Sequence, residues 1–139
     1  MNALVWADAA SPEEGASQAN ALFRDAFGYE PRGVWSAPGR VNIIGEHVDY
    51  NGGPCLPLAL PHRAYVALSP RADRTIRLIS PQTRDAVDVL DLDVLGPKGG
   101  PGEVSSHWTA YLAGVAWALE KAGHGPIPGF DAALWSCVP

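Results

Sequence analysis

The sequence has little of what marks several protein classes. Its 139 residues include only two cysteines, Cys55 and Cys137, far apart and without CxxC or Cys/His spacing, so neither a disulfide scaffold nor a zinc site is indicated. No apolar run approaches the roughly 20 residues of a membrane span. The stretch from Met1 to Ala10 lacks both a basic start and the apolar core of a signal peptide. We therefore expect a cytoplasmic protein.

Positive charge is also scarce. Ten Lys and Arg face fifteen Asp and Glu, a formal net charge of −5, and no basic run stands out. Such a chain repels phosphate backbones and anionic membrane surfaces, so nucleic acid and membrane are not expected partners. The length, with 47% hydrophobic and 18% charged residues, is that of one ordinary globular domain.

Two helices are indicated by their end signals and apolar spacing. Ser11-Pro12-Glu13-Glu14 supplies an N-cap, a proline in the first turn and an acidic third residue, and Gly28 ends the pattern. A second helix is expected from Ser106, with Gly123 just beyond its last turn. Its apolar face, expected to pack against the sheet, comprises Trp108, Tyr111, Leu112, Val115 and Leu119.

Short extended runs between these helices indicate strands. They are Val34–Ala37, Val41–Ile44, Ala64–Ser69, Thr75–Ser80 and Ala86–Leu92. Residues 81–85 suit a hairpin connection, and the Gly/Pro-rich residues 96–102 predict an exposed loop. A last strand, Phe130 to Cys137, is expected to expose an edge and Trp135. The fold class is therefore α+β, with a mixed or antiparallel sheet covered by helices on one side.

The densest polar cluster runs from Pro38 to Gly53. An apolar strand there separates Arg40 from Glu46, His47 and Asp49. Carboxylates accept hydrogen bonds from hydroxyl groups, histidine donates or accepts, and arginine can fork onto phosphate, a mixture suited to a polyol. Two plainer interpretations remain open: a solvated turn held by local side-chain bonds, and a metal site, for which further ligands at known spacing would be needed.

The string GRVNIIGEHVDYNGG resembles the amino-terminal signature of galactokinases, members of the GHMP small-molecule kinase family. The similarity continues along the chain in the strand at residues 56–60, the helix at 107–112, Gly129-Phe130-Asp131 and Val138-Pro139. It implies that residues 1–139 form a ribosomal-S5-like amino-terminal domain with its sugar-recognition signature at 38–53. It also implies ATP-dependent phosphorylation of galactose at the anomeric hydroxyl, with Mg²⁺ as the metal.

The resemblance also implies roles for individual residues. Arg40 matches an arginine near the transferred phosphoryl group. Glu46, His47 and Asp49 match residues that bind galactose hydroxyls, and Val48 falls in the same run and is expected to act through its backbone. Trp108 and Tyr111 match aromatic positions near the adenine pocket, although aromatic residues at helical spacing are mostly core.

Some parts of the family pattern have no counterpart in this sequence. The ATP loop of GLSSSA type, expected after Val138-Pro139, the Mg²⁺ ligands, the catalytic base and the carboxy-terminal domain are absent. We therefore expect the 139-residue chain to have no kinase activity by itself. Three alternatives stay open: another sugar kinase of the same family, a non-catalytic sugar-binding or regulatory relative, and a truncated product without a stable fold.

Overall fold

The computed structural model describes residues 8–81, 84–104 and 108–138. Within these residues, two α-helices and five strands follow one another. They are α1 (Pro12–Phe27), β1 (Gly33–Ile44), β2 (Leu56–Pro70), β3 (Thr75–Ser80), β4 (Arg84–Asp91), α2 (Thr109–Lys121) and β5 (Phe130–Ser136). Two short 3₁₀ turns lie at Asp49–Asn51 and Leu92–Val94.

The five strands form one mixed sheet in the order β1-β2-β5-β3-β4. Only β3 and β5 run parallel, and the other three pairs are antiparallel. This confirms the α+β class with a mixed sheet. The expectation of an exposed edge at the last strand is wrong, because β5 is central, with Ala132 and Ala133 fully buried and Trp135 partly buried. β1 and β4 are the edge strands of the sheet.

The first two strands are longer than the sequence pattern predicts. β1 runs through Pro38 with a register shift between Pro38 and Arg40, and β2 contains Pro57 and Pro61. Prolines are tolerated on edge strands and beside bulges, where no ladder hydrogen bond is lost. β2 pairs with β5 only from Ala64 onward, so Pro57 and Pro61 lie in the part that pairs with β1 alone, whereas Pro70 ends the strand opposite Phe130 of β5.

Helix α1 begins and ends where its sequence signals predict. The Ser11 hydroxyl accepts a hydrogen bond from the Glu14 N–H at 3.1 Å, and Gly28, at φ 80°, donates its own N–H to the Arg24 carbonyl. The helix buries Ala19 and Phe23 against one face of the sheet. That packing closes a hydrophobic cluster, whose buried members are Ala19, Phe23, Tyr65, Ala67, Ile79 and Ala133.

Helix α2 lies on the opposite face, so the expectation that both helices cover one side is wrong. Side chains alternate across a strand. In β3, Leu78 packs in the cluster beneath α2 while Ile79 packs in the cluster beneath α1. In β5, Ala132 and Ala133 divide in the same way. Both faces of the central strands are therefore apolar and need cover.

The predicted packing face of α2 is right at Trp108 and Leu112, which pack against the buried cluster beneath the helix, and wrong at the other three positions. Tyr111 is 81% exposed, Val115 60% and Leu119 41%, whereas Thr109, Ala113 and Ala116 are buried. The helix is apolar around most of its circumference, so spacing alone does not select the buried side. The small side chains face the core. Ser106, where the helix was expected to start, lies outside the described residues, and no described helix is long and apolar enough to cross a membrane.

Candidate functional site

The candidate sugar-recognition loop connects β1 to β2, and its ends are held together by the Ile44–Leu56 pair of the ladder. Gly45 has φ 95°, and a β-carbon there would meet the Pro54 carbonyl and Cys55. Such a conformation favours glycine. The N–H groups of Val48 and Asn51 donate to the carbonyls three residues before them. The loop is therefore a tight turn, on which the side chains of Glu46 and His47 are exposed.

Three consecutive residues of the loop, Glu46, His47 and Val48, carry a carboxylate, an imidazole and an apolar side chain. Glu46 and His47 are exposed, and Val48 is 42% exposed with its carbonyl accepting from the Gly53 N–H at 2.8 Å. Neither Glu46 nor His47 forms an ion pair or hydrogen bond with another described residue. Asp49 starts the 3₁₀ turn, and its side chain lies outside the described part. The carboxylate and imidazole are thus available to ligand hydroxyls.

Arg40 lies on β1 opposite Ala59, four residues before the loop, and its side chain is exposed. Among the described residues it has no ion pair. The segment after β5 approaches the neighbouring residue closely, because a β-carbon at Gly39 would lie 2.9 Å from Cγ1 of Val138. That segment is anchored by the Cys137 N–H, which donates to the Arg63 carbonyl at 3.1 Å. One end of the sheet thus places Val138 against Gly39, the residue that precedes Arg40.

The two aromatic residues assigned to an adenine pocket have different surroundings. The Trp108 indole N–H donates to the Asp88 carboxylate at 3.2 Å, and its ring packs against the buried cluster beneath α2. Tyr111 instead lines a cleft of about 500 Å³ between α2 and the loop at residues 95–104. The cleft is lined by Leu95, Gly96, Pro97, Lys98, Glu103, Val104, Ala110, Tyr111, Ala113, Gly114, Trp117 and Ala118.

The sequence interpretation did not identify this cleft as a unit. Its two walls come from separate segments, residues 95–104 and 110–118, which the fold places opposite each other. One signal was nevertheless present in the sequence. Gly114 stands in the middle of a helix, where glycine is disfavoured unless something requires it.

A buried ionic cluster around Asp131 was also missed. Asp131 is fully buried, and its carboxylate accepts from Arg77 Nε at 2.7 Å, from Arg71 Nη1 at 3.2 Å and from the Tyr29 hydroxyl. Burial alone raises the pKa of Asp131, but the hydrogen bonds from Arg77 and Tyr29 hold it below the ordinary value. The donors and the carboxylate satisfy one another's hydrogen-bonding groups, so the cluster is structural. Its only sequence signal is an acidic residue inside an apolar strand.

Metal ligands were not assigned from the sequence, and the described residues show no group of three or more His, Cys, Asp or Glu side chains that could hold an ion.

A family model described as the galactokinase galactose-binding signature matches residues 21–70, which contain the loop and Arg40. The chain is 50% identical over 118 residues to a galactokinase of Streptomyces coelicolor, covering 84% of this chain and 29% of that protein. It is 42% identical over 119 residues to a galactokinase of Chloroflexus aggregans, again covering 29% of that protein. The chain thus spans under a third of the length of these curated relatives.

Solved structures agree with the sequence matches. The fold is similar to Lactococcus lactis galactokinase complexed with galactose, with a TM-score of 0.68 and 30% identity over 86% of this chain and 30% of that one. Methanococcus jannaschii mevalonate kinase, at a TM-score of 0.55 and 19% identity over 78% of this chain and 34% of that one, shares the fold alone. The resemblance to galactokinases is confirmed in sequence and in fold, over most of this chain and under a third of theirs.

Proposed function

We propose that this chain supplies the sugar-recognition part of a galactokinase, an enzyme that transfers a phosphoryl group from ATP to the anomeric hydroxyl of galactose. The observation that carries the proposal is the display of Glu46 and His47, both exposed and without a described partner, inside the segment that matches the galactose-binding signature. Side chains placed in this way have no evident role in stabilising the fold.

Sugar recognition is the first step. The Glu46 carboxylate can accept hydrogen bonds from two neighbouring hydroxyls, and His47 can donate to one and accept from another. Asp49 is assigned to the same task by its place in the signature. Val48 contributes backbone groups from a turn that internal hydrogen bonds already hold. Galactose as the ligand is supported by the galactose complex of the Lactococcus lactis relative.

Arg40 is proposed to stabilise the negative charge on the phosphoryl group during its transfer. Its exposed side chain neighbours Gly39, against which Val138 packs. In galactokinases the Gly/Ser-rich ATP loop follows the Val-Pro pair that matches Val138-Pro139. A phosphoryl group held by such a loop would lie beside Arg40, where a planar guanidinium can contact two oxygens.

The cleft beside α2 is proposed to take the adenine of ATP. It combines an apolar lining with the exposed ring of Tyr111, which suits stacking on a flat base. When bound, ATP supplies the phosphoryl group. The proposal assigns no magnesium ligand among the described residues, which hold no group of three or more His, Cys, Asp or Glu side chains.

Galactose binding by the 139-residue chain tests the sugar site. We expect titration calorimetry or ligand-observed NMR to detect galactose in preference to glucose. Glu46→Gln should weaken binding by about 1–3 kcal/mol, because a hydroxyl then faces a donor where it needs an acceptor. Glu13→Gln, which changes an exposed carboxylate on α1, is the matched control. Equal binding of both sugars, or no effect of Glu46→Gln, would contradict the proposal.

Arg40 is tested in a galactokinase that carries this segment. Arg40→Lys should lower kcat by about 10²–10³-fold with little change in sugar affinity, since the lost interaction forms in the transition state. Arg32→Lys, an exposed arginine just before β1, is the control. A kcat that stays within about threefold of the parent value would reject the role. The 139-residue chain alone should show no turnover in a coupled assay, and turnover above background would contradict that expectation.

A further inference from the structure

The two glycines inside the α-helices differ in what surrounds them. A β-carbon at Gly15 of α1 would overlap the ring of buried Tyr65, so close packing requires glycine there. A β-carbon at Gly114 of α2 would meet nothing within 4 Å. Gly114 is also absent from the glycines with positive φ, so its backbone is open to any residue. Neither packing nor conformation in the described part of the chain explains Gly114.

Gly114 lies on the floor of the cleft beside α2. Tyr111 and Trp117 are three residues before and after it on the helix, and residues at this spacing share one face. Both aromatic residues line the cleft. The bare backbone at Gly114 therefore forms a gap between two rings. A gap of this kind admits a flat ring close to the backbone.

The wall opposite α2 cannot readily move aside. In the loop at residues 95–104, the Gly96 N–H donates to the Gly102 carbonyl at 2.8 Å, and the Gly99 N–H donates to the Glu103 carboxylate at 2.9 Å. Gly102 has φ 79°, and a β-carbon there would overlap the Val94 carbonyl. Because this loop is tied together internally, a side chain at position 114 would reduce the space in the cleft directly.

We infer that Gly114 is a specificity-determining residue, whose missing side chain leaves room for the base of the nucleotide between Tyr111 and Trp117. The inference rests on the proposed function and adds to it a residue that the galactose-binding signature, at residues 21–70, does not reach. It also accounts for a poor helix former in the middle of α2. The cleft should therefore distinguish its ligands by the thickness of the ring they insert.

The test measures adenosine binding to the 139-residue chain by ligand-observed NMR, with a thermal melt of each variant. Gly114→Leu and Gly114→Met both introduce good helix formers that fill the gap, so the chain should remain folded. Each substitution should weaken adenosine binding roughly tenfold or more, because even one methylene changes binding in a pocket by about 10-fold. Val115→Leu, the adjacent residue and 60% exposed outside the cleft, should bind as the unsubstituted chain does.

The outcomes separate this inference from the proposed function. Adenosine binding that is unchanged in a folded Gly114→Leu or Gly114→Met chain would overturn the inference and leave the proposed function standing. An equal loss in Val115→Leu would also overturn it, because the effect would not belong to the cleft. Failure of the unsubstituted chain to bind adenosine while it still binds galactose would overturn both the inference and the assignment of the cleft to ATP.

Discussion

The two faces of the sheet are packed to different degrees. Under α1, the aromatic side chains of Phe23 and Tyr65 are buried, and the carboxylate of Asp131 is enclosed by hydrogen-bond donors. Under α2, Leu78 and Phe130 are buried too, but Tyr111 is 81% exposed and a cleft remains between the helix and the loop. The α1 side is therefore closed by packing, whereas the α2 side leaves apolar and aromatic surface exposed.

The largest expected effect is on the α1 face. Asp131→Ala removes the acceptor shared by Arg71, Arg77 and Tyr29, and should lower the free energy of unfolding by about 3–5 kcal/mol because two arginines lose their buried partner. Urea denaturation measures it. Asp73→Ala, which removes another acceptor of Arg71 but at a half-exposed side chain, should cost much less. Similar losses for both variants would show that Asp131 is no more important than a surface pair.

The two helical glycines give the next largest contrast. Gly15→Ala forces a methyl group into the ring of Tyr65 and should destabilise the chain by about 1–3 kcal/mol. Gly114→Ala meets open space and should stabilise it by up to about 1 kcal/mol, since alanine is the better helix former. Opposite signs in chemical denaturation are expected. Destabilisation by Gly114→Ala would mean that the α2 face is packed as tightly as the other.

The aromatic pair Trp108 and Tyr111 tests the division within the α2 face itself. Trp108→Phe keeps a ring but loses the hydrogen bond to Asp88, so unfolding should become easier by about 1 kcal/mol. Tyr111→Ala removes an exposed ring and should change the free energy of unfolding by no more than about 0.5 kcal/mol. It should, however, weaken adenosine binding. Thermal melts and adenosine titrations of both variants decide between packing and binding roles. A Tyr111→Ala chain with unchanged adenosine affinity would count against the cleft.

Acid should weaken both faces. Arg74 and the Ile127 N–H lower the pKa of Glu120 from 4.5 to about 2, and the pKa of Asp131 also lies below its ordinary value. Because the folded pKa values are the lower ones, this stabilisation is complete above the unfolded values and is lost as pH falls from about 5 towards 2. Urea midpoints across that range measure the loss. Glu120→Gln should make the urea midpoint slightly less dependent on pH. An unchanged pH dependence would show that Glu120 does not contribute to the loss of stability in acid.

Local signals in the sequence were sufficient where neighbouring residues decide the structure. Ser11 and Gly28 marked the ends of α1, because a cap depends on hydrogen bonds within a few residues. The strands were located but cut short at Pro38 and Pro61, since whether proline interrupts a strand depends on which edge is paired. The predicted core-facing side of α2 was wrong at Tyr111, Val115 and Leu119, because a helix that is apolar around most of its circumference does not by itself select one side.

For the candidate site, sequence pattern identified Arg40, Glu46, His47 and Asp49 as one polar group, because they are close together along the chain. What they bind was an inference from resemblance, and the roles of individual residues stay predictions. The cleft and the Asp131 cluster could not be predicted in this way. Residues 29, 71, 77 and 131 meet only after β5 takes the central place in the sheet.

The sequence by itself determined the ends of α1, the approximate positions of the strands, the α+β class and the polar composition of the loop after β1. Each depends on contacts between residues that are neighbours along the chain. The tertiary structure alone decided the central position of β5, the placement of the helices on opposite faces, the burial of Asp131 and the opening of the cleft at Gly114. These depend on pairings between distant segments, whose energies no local pattern encodes.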